Sequence, residues 1–328
     1  TLTIVSDETF EEYSVAMLKQ TDQSQDLPQW NDLAQWARWQ KIFDSDLDEM
    51  PSSSLLSAEG GDFLLVIGVK TAVLEGFDRR QAIRETWSSK PELPRDVKVY
   101  FVGCASNFDA ISSDEKRNQV QSAINYEKQV YRDLLTDELL CEDWNGNQVN
   151  KVKAFLDFAA QTYRHTPFVV IADDTIYLRA DRLANDLRME NRTQRLYLGQ
   201  VLDNRSQPGV FPSEHRYIPS KRYSLHNYPS FASSSHYVLS MGCARFIAKN
   251  SARLQGLDGQ DGVSVALWLL TIQVHVEHTK AFSDLQDEDC DNGFLSLAGL
   301  SSSGIQKIHA NVVERRPFCY GLNRDLFL

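Results

Sequence analysis

The chain has 328 residues, 42% of them hydrophobic, with 34 basic side chains against 45 acidic ones, a net charge of −11 and a sequence pI near 5.1. That length and apolar content can bury a sizeable core in one large or two small domains. The acidic balance argues against nucleic acid or anionic membrane bound through bulk charge, so any anion site must be built locally.

Residues 1–60 are acidic, carry Trp30, Trp36 and Trp39, and close on Pro51 and the serines Ser52, Ser53 and Ser54. Leu33, Trp36, Ala37, Gln40 and Phe43 share one helical face, which reads as a helical stem able to pack on the domain that follows, with Pro51 opening a short linker. From residue 61 to 328 we expect one domain. Apolar runs alternate there with helical stretches, which predicts an α/β fold with a mostly parallel sheet covered on both faces. Strands fit at 63–69, 97–103, 168–172, 197–202 and 272–277. Helices fit around 79–87, 115–135, 148–163, 180–189, 240–250 and 263–270. The stretch 203–235 is rich in Pro, Ser, Tyr and His and long for a connection, so it reads as a functional loop. No run of 18 apolar residues and no signal peptide occurs.

Two clusters carry candidate chemistry. The strand at 168–172 runs into Asp173 and Asp174, at the edge where open α/β sheets bind ligands, and hard oxygen ligands there suit Mg²⁺ or Mn²⁺ bridging a diphosphate. The competing reading is a turn or helix cap. Arg79, Arg80 and Arg84 fall about one helical turn apart after the first strand, where their forks fit a diphosphate or a uracil edge, or else form an ordinary solvated face. The five cysteines, Cys104, Cys141, Cys243, Cys290 and Cys319, include no Cys-x-x-Cys pair, which argues against zinc and thioredoxin-like chemistry; the odd count leaves at least one unpaired. The sequons Asn191-Arg192-Thr193 and Asn204-Arg205-Ser206 flank a predicted strand and have meaning in a secretory compartment.

Arg80, Ile83, Arg84, Thr86 and Trp87 fit the pattern Arg-x-x-Ile-Arg-x-Thr-Trp. Glu127, Tyr131, Asp133 and Leu134 then fit Glu-x-x-x-Tyr-x-Asp-Leu. Asn147 with Lys151, Asp173-Asp174, and Tyr228-Pro229-Ser230-Phe231 leading into Tyr237-Val238-Leu239-Ser240 follow in order. Over roughly residues 60–280 the chain resembles the inverting β1,3-galactosyltransferase and β1,3-N-acetylglucosaminyltransferase family. The resemblance implies a GT-A-like, Rossmann-type nucleotide-sugar fold and transfer of a hexose, galactose ahead of N-acetylglucosamine, from a UDP-sugar to a glycan or glycoprotein acceptor. It further implies a Golgi or secretory lumen, with membrane attachment only through an anchor absent from this chain.

By the same resemblance, Arg80, Arg84, Lys151, Asp173 and Asp174 are expected around the donor. Tyr228, Ser233 and His236 are expected near the acceptor, and Asp261 as the base. Lys151 also reads as a solvated helix face, and Asp261 as a helix cap. Three departures stand out. Thr175 replaces the third aspartate of the family's Asp-Asp-Asp; Asp174 with His278 is then the expected ligand pair for Mn²⁺ or Mg²⁺, the alternative being that arginine and lysine alone neutralise UDP. Ser233-Ser234-Ser235-His236 replaces a glycine-rich run and adds side chains where substrate approaches. The family's Glu-Asp-Val is here Gln260-Asp261-Gly262-Val263, so the base is Asp261, or its position is taken by Gly262, depending on the anchor. A second function class follows from these departures: a glycosyltransferase-like glycan-binding or partner-stabilising module.

Overall fold

Most of the predicted apolar runs become strands of one sheet in a computed structural model, which describes residues 63–106, 114–143, 148–202, 228–257, 259–284 and 290–328. The main sheet holds β1 (Leu65–Lys70), β2 (Val97–Val102), β3 (Leu134–Leu135), β4 (Phe168–Asp173), β5 (Tyr197–Leu202), β6 (Phe231–Ser240) and β7 (Glu277–His278), in the order β7-β5-β6-β4-β1-β2-β3. Every adjacent pair is parallel except those of β6, which runs antiparallel to both β4 and β5. The expected α/β fold with a mostly parallel sheet is thus what forms.

Seven helices among the described residues cover the sheet: α1 (Phe77–Glu85), α2 (Asp114–Tyr131), α3 (Gln148–Thr162), α4 (Ala180–Arg188), α5 (Met241–Lys249), α6 (Asp261–Leu270) and α7 (Ser302–Val313). β1 is buried along its whole length, as a strand covered on both faces must be. Its side chains alternate between two cores. Leu65, Ile67 and Val69 belong to one core with Ile83 of α1, Leu183 of α4 and Ile305 of α7, whereas Val66 belongs to the other with Phe155 of α3, Phe246 of α5 and Trp268 of α6. Gly68 is required by close packing, since a Cβ there would stand 2.2 Å from the Phe155 ring. α6 is buried on every side, which its composition Asp-Gly-Val-Ser-Val-Ala-Leu-Trp-Leu-Leu permits beyond the first turn.

Two expectations need correction. The run 272–277 is not a strand: Ile272 to Val274 fold into the turn that ends α6, their amides bonded to Leu269 and Leu270 carbonyls, with Gln273 at φ 55°. Only Glu277–His278 pair, with β5. Conversely, Phe231–Ser235, read as part of a loop, is the first half of β6. Helix α7 had not been anticipated. The stem 1–60, Asn204 and residues 203–227 lie outside the described residues, while Asn191 is exposed. Cys104 pairs with Cys141 and Cys290 with Cys319, leaving Cys243 as the buried free thiol.

The sequence patterns around Arg80 and Glu127 prove to be two halves of one ion-pair network. Arg80, 1% exposed, uses all five N–H donors inside the protein: its Nε and one Nη2 proton bind Glu127, and the others reach Thr71 Oγ1 and the carbonyls of Ala72 and Val73. Arg84 binds Asp133 in fork geometry, reaches Glu127 at 2.8 Å, and lies 4.0 Å over the Tyr131 ring. Trp87 donates to the Ile176 carbonyl at 3.0 Å, tying the end of α1 to the segment after Asp174. Because Glu127 compensates two buried guanidiniums, Glu127→Ala should cost about 3–5 kcal/mol of unfolding free energy. Urea denaturation of the two proteins measures it; a loss below ~1 kcal/mol, the range of an exposed pair, would contradict this account.

Candidate functional site

The carboxyl edge of the sheet is organised by a residue that sequence reading passed over. β1 ends on Lys70, and the register places it beside Asp173, the last residue of β4. The Lys70 ammonium donates to Asp173 Oδ1 at 2.9 Å, to Asp261 Oδ2 at 2.7 Å and to the Ser234 carbonyl at 2.9 Å. Three protons therefore meet three acceptors. Burial opposes the charge on Lys70, but Asp173 and Asp261 overcome it and raise its pKa above the ordinary lysine value. A lysine closing an otherwise apolar strand was the signal available in the sequence, because lysine is seldom buried without a partner.

Asp173 and Asp261 face the same cation with different exposure. The Asp173 side chain is 32% exposed and that of Asp261 is 4%. Desolvation pushes the Asp173 carboxyl up to about 6; Lys70 pulls against it, while the charges of Asp261 and Asp174 push the same way. Asp261 opens α6, where the helix N-terminus favours a negative side chain. Its Oδ2 is held by Lys70, and among the described residues its Oδ1 accepts no hydrogen bond. Of the two residues weighed at this position, Asp261 sets its carboxylate against Lys70, and Gly262 presses against β6. A Cβ on Gly262 would stand 2.6 Å from the Ala232 carbonyl oxygen, and its N–H donates to Ser234 Oγ at 3.1 Å. Ser234, one of the side chains that replace the family's glycine-rich run, thus joins β6 to α6 and to Lys70.

Asp174 is arranged differently. It is 5% exposed, and its oxygens accept from Arg79 Nε at 2.8 Å and Thr71 Oγ1 at 2.7 Å. Several expected ligand contacts are redirected in the same way. Arg80 and Arg84 spend their donors on the network with Glu127 and Asp133, and Arg80 also holds the turn after β1. The Lys151 ammonium is buried and donates to the Thr71 carbonyl at 2.7 Å. Tyr228, 7% exposed, packs in the core against Phe231, ring centroids 6.4 Å apart. His236 is 1% exposed, with Nδ1 2.9 Å from Ser296 Oγ and its ring 4.9 Å from Phe282. Burial, and then the charge of Lys70, hold its pKa down at about 3, so the ring is neutral. Ser233 is 3% exposed, its Oγ 3.4 Å from Asp284 Oδ2. These acceptor candidates line β6 and its approach from the inside.

The described residues do not fit the expected divalent cation. Both oxygens of Asp174 are taken by protein donors, and no group of three or more His, Cys, Asp and Glu among the described residues is placed to hold a metal. His278 is exposed on β7, with β5 and β6 between it and β4, about 14 Å away at ~4.8 Å per strand. Its Nδ1 accepts the Val201 N–H at 3.1 Å.

A family model described as galactosyltransferase matches residues 78–280. A β1,3-N-acetylglucosaminyltransferase 7 of Rattus norvegicus is 28% identical over 190 residues, 56% of this chain and 45% of the relative. A lactosylceramide 1,3-N-acetyl-β-D-glucosaminyltransferase B of Danio rerio is 31% identical over 186 residues, 55% of this chain and 46% of the relative. A β1,3-galactosyltransferase 6 of Mus musculus is 29% identical over 254 residues, 75% of this chain and 73% of the relative. The chain spans about half the length of the first two. The matched segment runs from the start of α1 to just past β7 and takes in Arg80, Glu127, Asp173 and Asp261. The chain belongs to the galactosyltransferase family.

Proposed function

We propose that this chain transfers a hexose from a UDP-sugar to a glycan acceptor in β1,3 linkage with inversion, galactose ahead of N-acetylglucosamine, with Asp261 as general base. What carries the reading is one arrangement: two carboxylates from distant parts of the chain held on Lys70 at the carboxyl edge of a mostly parallel sheet, where open α/β folds take nucleotides. The family membership and the names of its relatives support the donor and acceptor classes. Two disulfides and the exposed sequon at Asn191 support an oxidising, secretory lumen.

In a single inverting displacement the acceptor hydroxyl attacks the anomeric carbon, its proton passes to a carboxylate, and the bond to UDP breaks. Asp261 Oδ1 is the atom assigned that proton, because Oδ2 is anchored and the helix start fixes the carboxylate plane. Asp173, the more exposed acid, is assigned to donor hydroxyls. Lys70 positions both, and its charge is assigned to offset negative charge that develops on the departing diphosphate. No step here runs through a divalent cation, given the poor fit of Asp174 and His278. A second reading is favoured by that same observation: Asp174 is sealed by Arg79 and Thr71, which suits a binding module without turnover.

Calorimetric titration of UDP, with Mn²⁺ and then with EDTA, separates these readings. Binding unchanged by EDTA is the expected result; binding that requires Mn²⁺ would overturn the metal-free mechanism, and no binding in either condition would overturn the transferase. In a transfer assay with UDP-galactose and UDP-N-acetylglucosamine, Asp261→Asn should lower turnover about 10²–10⁴-fold while UDP binding persists. Retained turnover would remove Asp261 from the base role. Asp173 gives a pH signature of opposite sign to an ordinary paired carboxylate. Its pKa is raised in the folded state, so stability is higher below the unfolded value and falls as pH climbs towards about 6. The melting temperature of Asp173→Asn relative to the parent should therefore rise between pH 4 and pH 7, and a difference flat with pH would refute the desolvated carboxylate.

A further inference from the structure

The turn between α4 and β5 carries a chemical pattern that the assigned transfer does not use. Asn191, Arg192 and Thr193 form the Asn-x-Thr pattern on which an asparagine amide accepts an oligosaccharide. Asn191 is exposed and Thr193 half-buried, and among the described residues neither side chain takes part in a hydrogen bond. The flanks of the turn, by contrast, are tied down. The Thr193 N–H donates to the Asn191 carbonyl at 3.1 Å, and the Thr193 carbonyl accepts from Gly242 of α5 at 3.4 Å. Arg192 gives its backbone N–H and its Nε to Glu190 Oε1, both at 2.9 Å, and Nη2 to Glu190 Oε2 at 2.8 Å. Its Nη1 binds Glu277 of β7, 85 positions further on. The turn stands at the pole of the sheet opposite Lys70. Met241, next to Gly242, is bonded to the Pro167 carbonyl just before β4 begins, whereas Lys70 meets β4 at its last residue, Asp173. Six-residue β4 is about 20 Å long at ~3.3 Å per residue, so a sugar chain on Asn191 leaves the reactive edge clear.

We propose that Asn191 carries an N-linked oligosaccharide added before the domain closes around it, a site that rests on the lumenal location inferred above and on neither donor nor acceptor. In the transfer, the Asn191 amide nitrogen bonds to the anomeric carbon of an oligosaccharide carried on a lipid pyrophosphate. The bond from that carbon to the pyrophosphate oxygen breaks, the lipid pyrophosphate leaves with the electron pair, and one amide proton passes to solvent. To react, the amide must enter the cleft of the modifying enzyme. In the folded chain it is mounted on a turn clamped to α5 and β7, and releasing that turn requires local unfolding. A chain in which Gly242 and Glu277 have not yet reached their places offers the same three residues without the clamp.

The whole chain, secreted from a eukaryotic host behind a cleavable signal, tests the site. Removal of the sugars by a peptide N-glycosidase in heavy-oxygen water, followed by peptide mapping, should show an isotopically labelled aspartate at position 191. The label should persist in Thr193→Ser, which keeps the hydroxyl, and vanish in Thr193→Ala. A secreted chain modified only at Asn204 or nowhere, or a label at position 191 that survives Thr193→Ala, would overturn the site. Timing has a separate readout. Folded chain made in bacteria and a synthetic peptide of residues 188–196 are offered together to a purified oligosaccharyl transferase with its lipid-linked donor. The peptide should react roughly tenfold faster or more, because in the folded chain only the locally opened fraction is a substrate. Equal rates would overturn the clamp. A chain that carries the sugar and binds no UDP would support this site and overturn the transferase alone, so the two fail separately.

Discussion

A buried ammonium ion must find its counter-charges inside the protein, and at Lys70 that requirement organises the edge of the sheet. Water cannot solvate it, so each of its three protons needs an acceptor in place. Those acceptors come from β4, β6 and the first residue of α6, the last of them 191 positions away in sequence. One cation holds two acids, which leaves the cluster short of positive charge. The Asp173 carboxyl registers that shortage as a raised pKa, in spite of its contact with Lys70. Carboxylates perturbed in this way by burial and by neighbouring like charge cluster at functional sites.

Behind this edge, the arginine network converts a flexible turn into a fixed one. Arg80 and Lys151 together bind the carbonyls of Thr71, Ala72 and Val73, the residues that leave β1 after Lys70. Glu127 and Asp133 hold the arginines from α2 and the start of β3. α2 buries little else, only Ile124 and Glu127 among its 18 residues, so this helix is attached to the domain largely through charge. Residues with the chemistry to grip a nucleotide are used here to grip backbone.

That exchange of roles marks the boundary of what the sequence discloses. The strands β1 and β4 were visible because a parallel strand buried on both faces is a continuous apolar run, β2 and β5 because they are rich in Val, Leu, Phe and Tyr, and the order of motifs along the chain indicated the family. The stretch from Ile272 to Val276 alternates apolar and polar residues as a half-buried strand would, but the chain there is closing α6, and so short an alternation does not separate a turn from a strand. Phe231 to Ser235 failed in the opposite direction, since serines on an antiparallel strand look like loop. Arg80, Lys151 and His236 were assigned to substrate by the resemblance, and a motif alone does not say whether a side chain's partner belongs to a ligand or to the fold. Their partners, Glu127, Thr71 and Ser296, lie 47, 80 and 60 positions away. Lys70 escaped notice for the complementary reason: its meaning depends on Asp173 and Asp261 arriving beside it.

The position of β6 has a consequence for how the molecule is made. In the finished sheet this strand lies between β4 and β5, antiparallel to both, although its residues follow theirs in the chain. A ribosome releasing the protein from its amino end delivers β1, β2, β3 and β4 first, and these can pair as a parallel half-sheet. The outer edge of β4, with Val169 and Ile171 unpaired on that side, then has to wait until residues 231–240 emerge. During that interval the nascent chain displays an apolar strand edge, the feature most prone to pairing with a neighbouring molecule. The serine-rich strand that finally closes the gap also delivers the Ser234 carbonyl to Lys70, so the end of the aggregation-prone interval prepares the place that Asp261 fills when α6 follows.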